Sequence, residues 1–160
     1  ILAHNTLAKI YPDAQRFSLA SIGNQPKSWA LADPGALTGM VYMGSLSANN
    51  PRTAELTEKI RAVKGADYQL TAYDAQAYDA VMMLERAFEI AGDHTDRTKV
   101  RDALQQVSDV PATFGQEGLT LSYGPDDHLA PDSLCGLVLV EFGADNKPAG
   151  PWASYQPPCG

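Results

Sequence analysis

In "NNPRTAELTEKIRAVKG" the apolar residues Leu56, Ile60 and Val63 recur at steps of three and four, the spacing of one helix face. Asn50 ahead of Pro51 reads as an N-cap with proline in the first turn, and Gly65 suits the C-terminus. The next and longest helix is "TAYDAQAYDAVMMLERAFEIAG", where Tyr78, Val81, Met82, Glu85 and Phe88 are expected to form the inward face. A third helix near Thr98 to Val107 carries Val100, Leu104 and Val107. Shorter apolar runs bounded by turn residues read as strands: "RFSLASI", Gly39 to Met43, "GLTLSY" and "GLVLVEF". Leu2 to Tyr11 reads as a helix end stopped by Pro12, and Trp29 to Ala32 as a single helical turn. The tail "GADNKPAGPWASYQPPCG", rich in Pro and Gly, is expected to be irregular. Helices and strands interleave, which predicts an α/β fold.

The long helix holds two Tyr-Asp pairs, Tyr73-Asp74 and Tyr78-Asp79. Five residues turn a helical side chain by about 500°, so the tyrosines lie about 140° apart and cannot share a face. Tyr78 is in register with the apolar body and is expected to pack inward. Tyr73, at the helix entry, either caps a core edge or points past the helix end toward a cleft.

Composition narrows the function classes. The chain has 160 residues, 44% of them hydrophobic, enough for a real core. The net charge is −7, and no Lys/Arg run could track phosphates, which argues against nucleic acid and against an anionic membrane surface. No apolar run reaches the roughly eighteen residues needed to span a bilayer. The start, "ILAHNTLAKI", lacks Met and the parts of a signal peptide, and reads as processed or truncated. His4, His94 and His128 have no metal-ligand spacing, and no cofactor motif is present. Asp126-Asp127 beside His128 lies on a turn, where adjacent side chains do not converge on one substrate atom. There is no phosphate loop and no G-x-S-x-G elbow, so an enzyme is not expected. Cys135 and Cys159 form no C-x-x-C; on count alone, a disulfide and two unrelated thiols fit equally. The strand "GLVLVEF" followed by a returning tail would bring the pair together in an oxidising compartment.

The order "AYDAQAYDAVMMLERAFEIAG", "TKVRDALQQV", "GLTLSYGPDDH", "GLVLVEF" resembles the periplasmic leucine/isoleucine/valine-binding protein family, type I solute receptors of ABC importers. The resemblance implies a type I periplasmic-binding-protein fold: two α/β lobes with parallel sheets and flanking helices, joined by three crossing strands, with solute held between them. A full member is about twice this length, so the chain resembles the C-terminal half. Residues 1–45 would then be a piece of the second lobe, 46–131 a piece of the first, and 132–160 the return to the second lobe plus the tail. The family places an aromatic five residues before the helical tyrosine against the solute, which implies Tyr73 as a contact. It also implies a periplasmic location, a small-molecule solute and a membrane permease as partners, and no cofactor. A sensor module of the same fold is the alternative.

The loop after "RFSLASI" departs from the amino-acid-binding pattern. Members that bind α-amino acids often place a carboxylate there for the solute ammonium, a charge-assisted bond worth about 1.5–3 kcal/mol. Here Ser21 to Ser28 holds none. Ile22, Gly23, Asn24 and Gln25 are the candidate contacts from this loop, with Lys27 able to attract an acid. A branched-chain or other hydrophobic amino acid is the expected solute, with aromatic or aliphatic carboxylates next.

Overall fold

The computed structural model describes residues 1–152, 155 and 159. Its main sheet has four strands in the order β1-β2-β5-β6. These are β1 (Phe17–Ser18), β2 (Val41–Gly44), β5 (Val138–Phe142) and β6 (Pro148–Pro151). β1 and β2 run parallel; β5 is antiparallel to β2, and β6 to β5. Alternation along β5 buries Val138, Val140 and Phe142, which pack with Trp29, Leu37, Met40 and Tyr42 into one core. The aromatic centre of that core is Phe142, 5.7 Å from the Trp29 ring and 5.1 Å from Tyr42.

A second core forms on α4 (Pro51–Lys64), α5 (Ala72–Ala91), α6 (Arg97–Leu104) and the small antiparallel pair β3 (Val110–Pro111) and β4 (Thr120–Leu121). Leu56, Met83, Val107, Phe114 and Leu121 are among its members. The helices begin where their caps require. Asn50 Oδ1 accepts from Arg52 N at 3.0 Å, Thr71 and Asp74 close a capping box on α5, and Asp96 caps α6. Among the described residues, no helix is long and apolar enough to cross a membrane.

Several sequence expectations need correction. "RFSLASI" is a strand only at Phe17–Ser18; Ala20–Gly23 turns into a short helix, α2. A short apolar run does not distinguish a strand from a helical turn, and here the turn brings the Ile22 carbonyl within 2.7 Å of the Trp29 indole N–H. The next turn, α3, is Pro26–Trp29 rather than Trp29 to Ala32, because Pro26 starts it. At the N-terminus, α1 spans Leu2–Ile10. The tail is not irregular throughout. Asn146, at φ 60°, turns the chain back so that Pro148–Pro151 pairs with β5 on the sheet edge, where proline is tolerated.

The inward face of α5 also differs. Ala72, Ala75, Asp79, Met83 and Ala87 are buried, Tyr78 and Met82 are half-buried against the same core, and Val81 is 62% exposed. Apolar residues surround most of this helix, so periodicity does not select a side. The small alanines do, by allowing close packing against α6.

Ala112 to Gln116 runs through the second core outside helix and strand and touches the end of β2 at Ser45. Asp79, 2% exposed, accepts from the backbone N–H of Thr113 at 2.7 Å and of Phe114 at 3.3 Å. The Gly115 N–H donates to Ser45 O at 2.7 Å, and the Gln116 N–H to Cys135 O at 3.0 Å. From the other side, Asn50 Nδ2 lies 3.2–3.4 Å from the carbonyl oxygens of residues 112–115. Gly115 has φ 74°, and a Cβ there would stand 2.5 Å from Leu119 Cδ2 and 3.0 Å from Gly136 Cα. Only glycine fits that crossing.

Burial pushes the Asp79 carboxyl above its ordinary range, against the opposing pull of the Thr113 and Phe114 donors and of Arg52. Its Oδ1 has no partner among the described residues. A raised folded value means the group favours folding most at low pH. Its contribution falls as pH climbs from the ordinary 3.8 through the raised value. Asp79→Ala strands two buried amides and is expected to cost about 3 kcal/mol in a urea melt, whereas Asp79→Asn keeps an acceptor and costs about 1 kcal/mol or less. Measured as a difference, native stability should decline relative to the Asn variant as pH rises from 4 towards 7.

Cys135 and Cys159 are joined by a disulfide with Cα atoms 5.1 Å apart. The bond closes a loop of sequence separation 24, so its loss is expected to cost roughly 3 kcal/mol. A Cys135→Ser/Cys159→Ser double variant should melt correspondingly earlier, and the unreduced native protein should take up no thiol probe.

Candidate functional site

The sequence-derived site residues gather around the N-terminus of α5, but not all face one cavity. That helix end is held firmly. Thr71 Oγ1 accepts from Asp74 N, and Asp74 Oδ2 accepts from both Thr71 N and Thr71 Oγ1 at 2.8 Å. The Tyr68 hydroxyl donates to Asp74 Oδ1 at 3.1 Å; burial first, then the Asp74 carboxylate, hold that phenol above its ordinary value. Each Asp of the two Tyr-Asp pairs thus serves the scaffold, Asp74 as a cap and Asp79 as the clamp on residues 113–114.

The loop after β1 docks on this helix end. Asn24 Oδ1 accepts from the Ala72 backbone N–H at 2.9 Å. Gln25 Oε1 accepts from Ser28 Oγ at 3.1 Å. Together Asn24, Gln25, Lys27, Asp67, Tyr68 and Gln69 line an open groove of about 580 Å³. Ile22 and Gly23 belong elsewhere. Ile22 packs on the first core, and Gly23 lies so close to the Tyr42 ring that a Cβ would sit 2.0 Å from Tyr42 Cε2. Burial raises the Tyr42 hydroxyl far above its ordinary value. Tyr73 stands on the first turn of α5, 61% exposed and outside the groove.

The groove holds Asp67, Tyr68 and Gln69, which the sequence pattern did not single out. Asp67 supplies a carboxylate beside Asn24 and Gln25 although the loop at residues 21–28 has none. It comes from the connection between α4 and α5, distant in sequence, and only the docking of Asn24 on Ala72 reveals the proximity. Asp67 and Lys27 therefore flank the groove with opposite charges.

A second groove, of about 680 Å³, runs along the other side of α5, lined by Asp79, Ala80, Met83, Phe114, Leu134 and neighbours. The α5 residues beyond it, Val81, Leu84 and Phe88, are exposed and apolar. This helix therefore carries apolar residues on both its buried and its exposed sides.

Comparison with known proteins fits this architecture. No curated protein matches the chain. Among solved structures, a leucine-binding protein from Thermotoga maritima MSB8 superposes with a TM-score of 0.71 at 17% identity, over 94% of this chain and 40% of that one. A protein described as a possible leucine/isoleucine/valine-binding protein from Rhodopirellula baltica SH 1 gives 0.69 at 18%, over 95% and 40%. An ABC transporter substrate-binding protein from Desulfitobacterium hafniense gives 0.60 at 18%, over 88% and 37%. The chain thus spans about 40% of the length of the first two structures. The periplasmic binding protein family pattern matches residues 8–133. The chain belongs to the periplasmic binding protein family and has the fold of part of these solved type I structures.

Proposed function

We propose that the chain is the C-terminal part of an extracytoplasmic solute receptor that delivers a small molecule to an ABC importer. The observation that carries this reading is the junction at the α5 N-terminus. There a loop from the β1-β2-β5-β6 sheet docks on a helix of the other core, with Tyr73 exposed beside the contact. Residues 1–45 with β5 and β6 form a piece of one lobe, residues 46–131 a piece of the other with Cys135 and Cys159 packed against it, and the crossing at Ser45 and Gly115 is the hinge side.

The solute is a hydrophobic amino acid, branched-chain first, with aromatic or aliphatic carboxylates as the next class. Asp67 and Lys27 favour a zwitterion over a simple acid, because each end of an α-amino acid then finds an opposite charge. Tyr73, exposed on the first turn of α5 outside this groove, would offer a flat apolar face with a polar tip from beside it. Gln25 is a secondary contact, while Asn24 already spends its carbonyl oxygen on Ala72.

The receptor reading is tested on the full-length protein by thermal shift with hydrophobic amino acids and their amine-free analogues. A true solute at one hundred times its dissociation constant adds about 2.7 kcal/mol of stability. The expected result is a shift with the amino acids and a smaller one with the analogues; no shift with any of them would refute the solute class. Tyr73→Ala should weaken binding about tenfold, roughly 1.4 kcal/mol, and change the ligand-free melt by less than about 0.5 kcal/mol. Tyr78→Ala should do the reverse, costing about 2 kcal/mol of stability with little effect on affinity.

A further inference from the structure

The contact between Asn24 and Ala72 has a geometry that a simple turn residue does not need. Asn24 lies just past the end of α2, where its own N–H is bonded to Ala20 O at 3.2 Å. The Ile22 carbonyl two residues earlier is held by the Trp29 indole, and Gly23 is pressed against the Tyr42 ring. The side chain is therefore mounted rigidly on the sheet core. Across from it, Ala72 is buried, and its N–H belongs to a helix start locked by the Thr71–Asp74 box and the Tyr68 hydroxyl. At the crossing the second core reaches the end of β2 through the Gly115 N–H to Ser45 O and the Gln76 Nε2 to Ser45 Oγ, while the Gln116 N–H bonds Cys135 O within the second core. The Asn24 bond stands apart from them, 48 residues away in sequence from its partner and next to Tyr73.

We propose that Asn24 is a positioning residue, a latch that holds the two lobes together at the mouth of the cleft in the closed form of the receptor. This rests on the receptor reading above and assigns Asn24 a role other than solute contact. In the closed form its Oδ1 takes the Ala72 N–H; when the lobes part, water takes both groups. A neutral amide bond exchanged for water shifts an equilibrium modestly, so the latch changes the closed-to-open ratio by about threefold to tenfold. Because apparent affinity scales with the population of the competent form, affinity follows by the same factor. Asp at this position would accept the same N–H with a full charge at the positive end of a 20-residue helix, and strengthen the latch.

The test uses the full-length receptor with spin labels on Ala30→Cys and Ala66→Cys, exposed positions flanking the groove, and compares Asn24, Asn24→Ala and Asn24→Asp. Without solute, the closed distance should be depopulated in the Ala variant and enriched in the Asp variant, by about threefold to tenfold relative to native. The closed distance itself and the melting temperature should stay the same within error. Solute affinity should rank Asp above Asn above Ala. If the three ligand-free distance distributions coincide, the latch is wrong, and an affinity loss in the Ala variant would then mean direct solute contact. If no solute shortens the distance in native protein, the receptor reading fails, while the latch is still judged by the ligand-free distributions.

Discussion

The structure depends on satisfying the backbone of a five-residue segment that has neither a helix nor a strand to do it. Ala112 to Gln116 passes through the second core beside the end of β2, and a buried amide or carbonyl without a partner costs as much as a lost hydrogen bond. Asp79 supplies the acceptor for two N–H groups, the two N–H groups of the Asn50 amide are shared among the facing carbonyls, and Ser45 after β2 and Cys135 in the short turn before β5 take the next two N–H groups. Each of these comes from a different element. Fixing this one segment therefore fixes α4, α5, β2 and the approach to β5 relative to one another.

From that knot the rest of the architecture follows. The Cys135–Cys159 bond ties the tail to the same crossing, and β6 covers the edge of β5. Asp79 is costly to bury, and its Oδ1, without a partner among the described residues, records that cost. A carboxylate is retained there because two converging N–H groups need an acceptor that reaches from a helix, and Asp on α5 is short enough to sit between them. Away from that crossing, Asn24 meets Ala72, the contact at which the proposed latch would open. A fixed crossing with a polar contact apart from it suits the closing cleft proposed above.

Much of the fold was legible because its signals are local. Asn50-Pro51 marked α4, Gly92 with φ 64° closed α5, and alternation in "GLVLVEF" marked β5. What was not legible depends on distant partners. The inward face of α5 was misread because Val81 and Phe88 match the helical period as well as Ala75 and Ala87 do, and only packing against α6 decides between them. "RFSLASI" ended early as a strand because the Trp29 indole claims the Ile22 carbonyl. At the site, Tyr73 was singled out by an angle along one helix and stands exposed. Asp67 was missed because its proximity to Asn24 and Gln25 exists only in three dimensions. Asn50 was recognised as a cap, but its second role, donating across to residues 112–115, left no mark in the sequence.

Native-state hydrogen exchange reads the central claim directly. If the knot at residues 112–116 holds the cores together, the amides of Thr113, Phe114, Gly115 and Gln116 exchange only through global unfolding, as slowly as the β5 amides, although they lie outside regular structure. Exchange of those four amides through a low-energy local opening, well ahead of β5, would contradict the account.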